Sequence, residues 1–531
     1  MTDRIDRRDF LYRAGTVAAA IASARLGFLS PDALAGGKRF VRRLPLPKVL
    51  SGPDIRLVAR VADVKILPGA PTRMWTFNGT FPGPLIRRPS GRRTRVTVVN
   101  DLPAKAKSLT IHHHGSHSES KHDGLPLPEV AIEPGKSRTY VYEHMEDGKP
   151  ERAAQQWYHD HSHGRTSLNS WMGLAGLFIL DDDFEKRLSL PKGRYEIPLF
   201  LTDRRFTANN QLDTELFETP AATREVRGDI YLVNGALRPF AEVEPRRYRF
   251  RVHNGSGFQM YNLVLRARSK QVPMIQIGTE SGLLPAPVKR TEVLLGPAER
   301  ADLVVDFSDF AGRNLTLKSK FLENATGSDG SRAGTFMQFR VRPKARRRDN
   351  SKIPKHLRPL PDWVSQAPAE PDRVWAFGNG IDPTTGEQAQ TINGRAFDHE
   401  RVDAQVELDS VETWLLVNTT TRSHFIHIHD VDWVILSRND AAPPPYEAGL
   451  KETFRLDPGD SLAVAAKFSD HLGRFLIHCH MLDHEDGGMM ATWEVVAPGA
   501  GTPTTLTDTE RKRVDAVLAG RSPYVCKLDL G

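Results

Sequence analysis

Residues 247–254 read Arg-Tyr-Arg-Phe-Arg-Val-His-Asn. Tyr248, Phe250 and Val252 alternate with Arg247, Arg249 and Arg251, the period-two pattern of a half-buried strand, and the run ends in Asn254. Upstream lies an Asn-Gly turn, Asn234-Gly235, and downstream a proline turn, Gly296-Pro297. The same three signals recur in the same order on both sides. Asn78-Gly79 precedes Val99-Asn100 and Pro134-Gly135, and Asn393-Gly394 precedes Val417-Asn418 and Pro458-Gly459. Equivalent positions are roughly 155 to 165 residues apart, the mark of an internal repeat. Short alternating segments of Val, Ile, Phe and Tyr, broken by Gly, Pro, Asn and Asp, make each unit a β-sandwich, so the chain is expected to be all-β with three sandwiches.

The joints follow from composition. Residues 183–194 are polar and succeed an apolar strand ending at Leu180, while residues 344–372 are basic and proline-rich and read as an exposed connector. The expected units are 45–182, 190–345 and 372–500, followed by a C-terminal tail, 501–531, in which Thr507 to Leu518 has helical spacing. The first 35 residues read as an export signal. Arg7-Arg8 opens a twin-arginine motif, Ala14 to Phe28 is modestly apolar, and Ala33-Leu34-Ala35 is a cleavage sequence. A Tat signal places the mature chain in a periplasm or outside the cell, with the Tat machinery as its export partner.

At 531 residues, 39% hydrophobic and 26% charged, the chain is an ordinary globular sequence, and it lacks an apolar run of spanning length. Stable membrane insertion is therefore not expected. The net charge of +8 comes from scattered Lys and Arg outside any nucleic-acid recognition motif, so no nucleic-acid partner is expected. The two cysteines, Cys479 and Cys526, allow at most one disulfide, and Cys526 reads as an idle thiol.

Ten of the 19 histidines fall in four clusters: His112 and His114; His159 and His161; His424, His427 and His429; and His478, His480 and His484. On a strand, residues i and i+2 face one side, so each His-x-His presents two imidazoles to one point. Four such pairs from opposite ends of the chain can surround a metal cluster between two units. The middle unit supplies no pair and reads as a spacer or a wall of the substrate surface. Cys479 must face away from His478 and His480, which lets it bind a second metal with His424, His484 and the thioether of Met489, the ligand set of a blue-copper centre.

With these clusters, and the GLAGLFIL segment from Gly173 to Leu180, the mature chain resembles the multicopper oxidases, most of all the bacterial laccase and bilirubin oxidase group. His484 to Met490, HEDGGMM, is also similar to the cuprous oxidases. The resemblance implies three cupredoxin-like Greek-key domains and four copper ions. It implies type 1 copper on His424, Cys479, His484 and axial Met489, with Met490 as the alternative. It implies type 2 copper on His112 and His427, and a type 3 pair on His114, His159, His161, His429, His478 and His480. Asp123 and Glu485 match acids that deliver protons to bound oxygen. The implied reaction is one-electron oxidation of phenols or aromatic amines coupled to reduction of O2 to water. The alternatives are a periplasmic oxidase of Cu(I) and a copper-free scaffold, which retention of every ligand position argues against.

Three departures matter. Phe425 stands where the family has proline, removing a fixed φ beside a type 1 ligand. Arg422-Ser423 replaces the Trp-Ser of bilirubin oxidases, weakening the case for bilirubin. Beyond residue 400 the methionines are Met481, Met489 and Met490, all in the copper loop, so the soft-metal insertion of cuprous oxidases is absent. His113, His117, His122 and His163 adjoin the ligands and read as supporting or surface residues, with transient copper uptake an alternative for His117 and His122.

Overall fold

The computed structural model describes residues 40–322, 331–382 and 385–519. The segment read as a Tat signal, and Cys526, lie outside them. Within them the chain forms three successive pairs of β-sheets. The first pair is a four-stranded sheet facing a five-stranded one that contains Ile111–His114 and Ala154–Asp160. Leu57, Phe77, Val98, Tyr140 and Phe178 fill the space between. The second pair has seven and six strands around Phe250, Tyr261, Phe336 and Phe339. The third has six and five strands around four fully buried tryptophans, Trp375, Trp414, Trp433 and Trp493. Each sandwich contains two equivalent parallel pairs, one in each sheet: Asp54–Val64 with Thr94–Asp101 and Leu85–Pro89 with Ala175–Asp181, then Glu196–Arg204 with Arg247–Asn254 and Phe240–Val243 with Gly334–Val341, then Arg373–Ile381 with Val411–Asn418 and Ala404–Glu407 with Met490–Val496. Parallel neighbours require a crossover, which gives the sandwiches their Greek-key connectivity.

The repeated asparagines explain why the sequence repeats. In all three Asn-Gly turns both residues have positive φ, a conformation open to asparagine and glycine at little cost. The side-chain oxygen of each asparagine accepts an amide of the antiparallel neighbour of the strand that enters the turn, at 2.7 Å: Val58 to Asn78, Phe200 to Asn234 and Ala376 to Asn393. Each amide nitrogen donates to a carbonyl two residues earlier, of Arg56, Pro198 or Val374. The strand-end asparagines act alike. Asn100, Asn254 and Asn418 accept from the amide two residues on and donate to Ile132, Leu295 and Leu456, tying each strand to the segment that carries the proline turn.

Two expectations need correction. Arg247–Asn254 is a strand, but it is not half-buried: Arg249 and Arg251 are 3% and 1% exposed. Their guanidinium groups are neutralised inside by Glu185, Glu196 and Asp302, so alternation of charge and apolarity here does not mark a wet face. Nor is the connector after residue 344 simply exposed. It forms no strand, but Leu357 is buried against Leu284 of the second sandwich, and Trp363 and Val364 against Val434 and Ala465 of the third. The tail helix spans Asp508–Leu518, capped by Thr507, with Val514 seated on Leu415 and Val417. No helix among the described residues is long and apolar enough to cross a membrane.

Candidate metal centre

The strand Ala154–Asp160 pairs antiparallel with Ile111–His114, setting His159 opposite His112 and Trp157 opposite His114. Side-chain alternation then directs His112, His114 and His159 to the outer face and His113 and Tyr158 into the first core, where the His113 ring lies 4.1 Å from that of Phe178. In the third sandwich, His424–Ile428 pairs with Gly473–Cys479 so that His427 lies opposite His478 and Ile426 opposite Cys479. One face of this sheet therefore presents histidines outward, and the other turns Cys479 into the core.

The two outward faces meet. His112 Nε2 lies 3.3 Å from His427 Nε2, His161 Nε2 is 3.4 Å from His478 Nε2, and His429 Nε2 is 3.1 Å from His478 Nε2. His480 completes the cluster, its ring 5.0 Å from His114 and 5.3 Å from His159. All eight side chains are buried. Burial, reinforced by neighbouring imidazoles, holds His114, His159, His427, His429 and His480 well below the ordinary imidazole range, so they are neutral donors.

The outer ring nitrogens are fixed by carboxylates and carbonyls. His429 Nδ1 donates to Asp123 Oδ2 at 2.7 Å, and His112 Nδ1 to the Asp123 carbonyl at 2.6 Å. Asp123 ends the helical turn Ser120–Asp123 and comes back against the Ile111–His114 strand because Gly124, at φ 86°, turns the chain where a Cβ would lie 2.3 Å from the Ile111 carbonyl. Glu485 Oε2 is 3.1 Å from His478 Nδ1, and its Oε1 is 3.8 Å from His161 Nε2. Burial would raise this carboxyl, but His161 and His478 outweigh it and hold it at about 2. Neither acid is a solvated loop residue: both are buried.

Sequence reasoning missed Glu452 and Arg300. Glu452 Oε1 lies 3.1 Å from His114 Nε2, and its carbonyl accepts from His427 Nδ1 at 2.9 Å. Arg300, from the middle sandwich, grips the Glu452 carboxylate with two bonds of 2.6 Å. The middle unit thus reaches the cluster without contributing a histidine. A single glutamate between two short strands and a single arginine in another domain carry no spacing signal.

On the inner face, His424 Nδ1 and His484 Nδ1 lie 3.5 and 3.6 Å from Cys479 Sγ and 3.1 Å from each other. Thr420 Oγ1 is 2.8 Å from His424 Nε2, which leaves Nδ1 to face the sulfur. Met489 is fully buried in the same apolar cluster as Cys479, and its carbonyl accepts the Cys479 amide at 3.0 Å; Met490 is in another cluster, with Leu125 and Leu476. Burial pushes the Cys479 thiol up to about 12, so a thiolate here needs a cation beside it. Phe425, far from being a mere gap where a proline was expected, packs its buried ring on Gly296 of the middle sandwich and accepts the His480 amide at 2.5 Å.

The residues fit copper. His114 Nδ1, His159 Nε2, His161 Nδ1 and both nitrogens of His480 are buried without hydrogen-bond partners, a cost that bound metal relieves. Imidazole with a thiolate and a thioether is the donor set copper selects. Of the flanking histidines, His163 is exposed, His122 is half-buried and His117 is buried against Asp470.

The multicopper oxidase family models match residues 59–184 and 371–498, the two segments that carry all the clustered histidines. The chain is 33% identical to a laccase of Bacillus subtilis over 81% of this chain and 91% of that one. It is 34% identical to a bilirubin oxidase of Albifimbria verrucaria over 81% of this chain and 74% of that one. A multi-copper oxidase structure from Pediococcus acidilactici superposes with TM-score 0.74 at 29% identity, covering 88% of this chain and 95% of the other. The chain belongs to the multicopper oxidase family. It is an oxidoreductase that uses oxygen and carries copper.

Proposed function

We propose that the protein is a laccase-like oxidase that takes single electrons from phenols or aromatic amines at His484 and reduces O2 to water at the eight-histidine cluster. The observation that carries this reading is the place of His484. It approaches Cys479 Sγ on one side and lines a surface depression of about 540 Å3 on the other. We assign His424, Cys479, His484 and Met489 to type 1 copper, and His112 and His427 to type 2 copper. His114, His159, His161, His429, His478 and His480 are assigned to the type 3 pair, giving four ions. Copper held by these residues would supply the redox chemistry, four one-electron oxidations balancing the four-electron, four-proton reduction of O2 to two waters.

The chain's own residues do the rest. Cys479 links the two sites through its own backbone, because its neighbours His478 and His480 belong to the cluster. Asp123 and Glu485 hold ring nitrogens of His429 and His478 in place, and their buried carboxylates are stations for protons arriving at the cluster. The wall around His484 includes Arg224, Glu225, Gln390, Arg422 and Ile381 but no methionine or cysteine among the described residues, which favours an organic reductant over Cu(I). The same reading sends the chain through the Tat machinery to a periplasm or out of the cell.

Oxygen uptake by copper-loaded, desalted protein with a methoxyphenol tests it. Brisk uptake without added copper is expected; uptake that requires added copper would replace the organic reductant by Cu(I).

A further inference from the structure

The basic connector that leaves the middle sandwich has no part in the oxidase reading. Lys344, Ala345, Arg346, Arg347 and Arg348 are consecutive exposed residues outside any helix or strand. The Arg346 amide donates to Glu244 Oε2 at 3.1 Å, and Asp349 Oδ2 accepts the Arg247 amide at 3.0 Å. These two bonds lay the segment across the turn between the strands Phe240–Val243 and Arg247–Asn254.

The acids around it are already matched. Glu242 pairs with Arg342 at 2.8 Å, Glu244 with Arg194 at 2.6 Å, Asp306 with Arg247 at 3.2 Å and Asp349 with Arg246 at 2.8 Å. On the neighbouring turn Asp309 is exposed, and so is the cation Arg313. The side chains of Lys344, Arg346, Arg347 and Arg348 make no hydrogen bond or ion pair among the described residues, so their positive charges face water without a partner.

Apolar side chains protrude along the same edge. The Leu44 amide donates to the Phe240 carbonyl at 2.7 Å, which joins this stretch to the strand Phe240–Val243. Val41 and Leu46 on either side are 66% and 61% exposed, and Arg43 is exposed between them. Cations beside protruding apolar groups suit the boundary of a bilayer, where the charges meet lipid phosphates and the apolar groups reach below them. The segment from Lys344 to Arg348 has no aromatic ring to stack on a base and no helix to enter a groove, which disfavours nucleic acid. The patch is also remote from the histidine cluster. His253, near the other end of the strand Arg247–Asn254, has its ring 4.4 Å from that of Trp157, which stacks on His159. Six residues of strand, about 20 Å, separate His253 from Arg247.

We propose that Lys344, Arg346, Arg347 and Arg348, with Arg43, Val41 and Leu46 beside them, dock the protein on an anionic lipid bilayer by adsorption rather than insertion.

Sedimentation of copper-loaded protein with lipid vesicles tests the patch. The protein is expected to pellet with vesicles containing phosphatidylglycerol, to stay in solution with phosphatidylcholine alone, and to be released by high salt. Arg346→Gln, Arg347→Gln and Arg348→Gln combined should weaken partitioning about tenfold or more. Arg56→Gln, Lys105→Gln and Lys136→Gln combined remove the same charge from exposed sites of the first sandwich and should leave partitioning nearly unchanged. Copper content and oxygen uptake should be equal in all three proteins. Equal binding to both kinds of vesicle, or equal losses in the two triple variants, would overturn the proposal. So would wild-type protein that ignores both vesicles, including the case in which the same arginines retain a single-stranded oligonucleotide instead.

Discussion

At the scale of single residues, the cluster depends on acceptors behind the ligands as much as on the ligands. Asp123 holds His429 through its carboxylate and His112 through its carbonyl. Asp123→Ala is expected to lower oxygen turnover by roughly 10- to 100-fold while leaving the visible absorption of the Cys479 site intact, which steady-state oxygen uptake and a spectrum will show. Phe425 illustrates a residue whose meaning was only half legible. Beside His424 it registers in the sequence as a missing proline, but the fold gives it a second task, filling the contact with Gly296 across a domain boundary. Phe425→Ala should cost about 3–5 kcal/mol by chemical denaturation, because a buried aromatic leaves a cavity that a β-sheet cannot close. Histidines were legible because four His-x-His pairs on strands have few other uses. Glu452 and Arg300 were not, because their roles exist only once two distant strands have met.

At the scale of elements, the asparagine turns show why a weak repeat could reveal the architecture. Each asparagine satisfies strand amides and carbonyls that no other side chain of its size and φ preference serves as well. Asn234→Ala would leave the Phe200 amide without its acceptor and is expected to cost about 1–3 kcal/mol in an equilibrium unfolding curve. The strand that opened the reading carries the opposite lesson. Its arginines looked solvated because charge normally is, yet Glu185 and Glu196 hold them inside. Burial opposes ionisation of these two carboxyls, but Arg249 and Arg251 overcome it and bring both down from 4.5 to about 2. A depressed folded value means stabilisation that is present above pH 4.5 and lost as pH falls toward about 2. Thermal melts should therefore drop through this window, and Glu196→Gln should flatten part of the slope; a melting temperature unchanged down to pH 2 would contradict the assignment.

At the scale of the whole molecule, three copies of one sandwich have diverged in duty. The first and third present histidine faces to each other, and the third alone turns a cysteine inward. The middle copy reaches both sites from the side, through Arg300 to Glu452 and through Phe258, whose ring lies 5.2 Å from that of His484. Fold class and histidine partners could be read from spacing and alternation. The contacts between copies could not, since they depend on single side chains without a periodic signal. The connector that read as exposed follows the same rule: its Trp363 is buried by a sheet that the local sequence does not announce.

On the proposed reading Cys479 holds one copper on the inner face of the third sandwich, while its neighbouring histidines hold part of a separate cluster on the outer face. Copper counted per chain in wild type and in Cys479→Ser tests this most directly. Four ions in wild type should fall to three in the variant, with loss of the intense visible absorption and retention of the cluster. An unchanged count with unchanged colour, or loss of all copper at once, would contradict it.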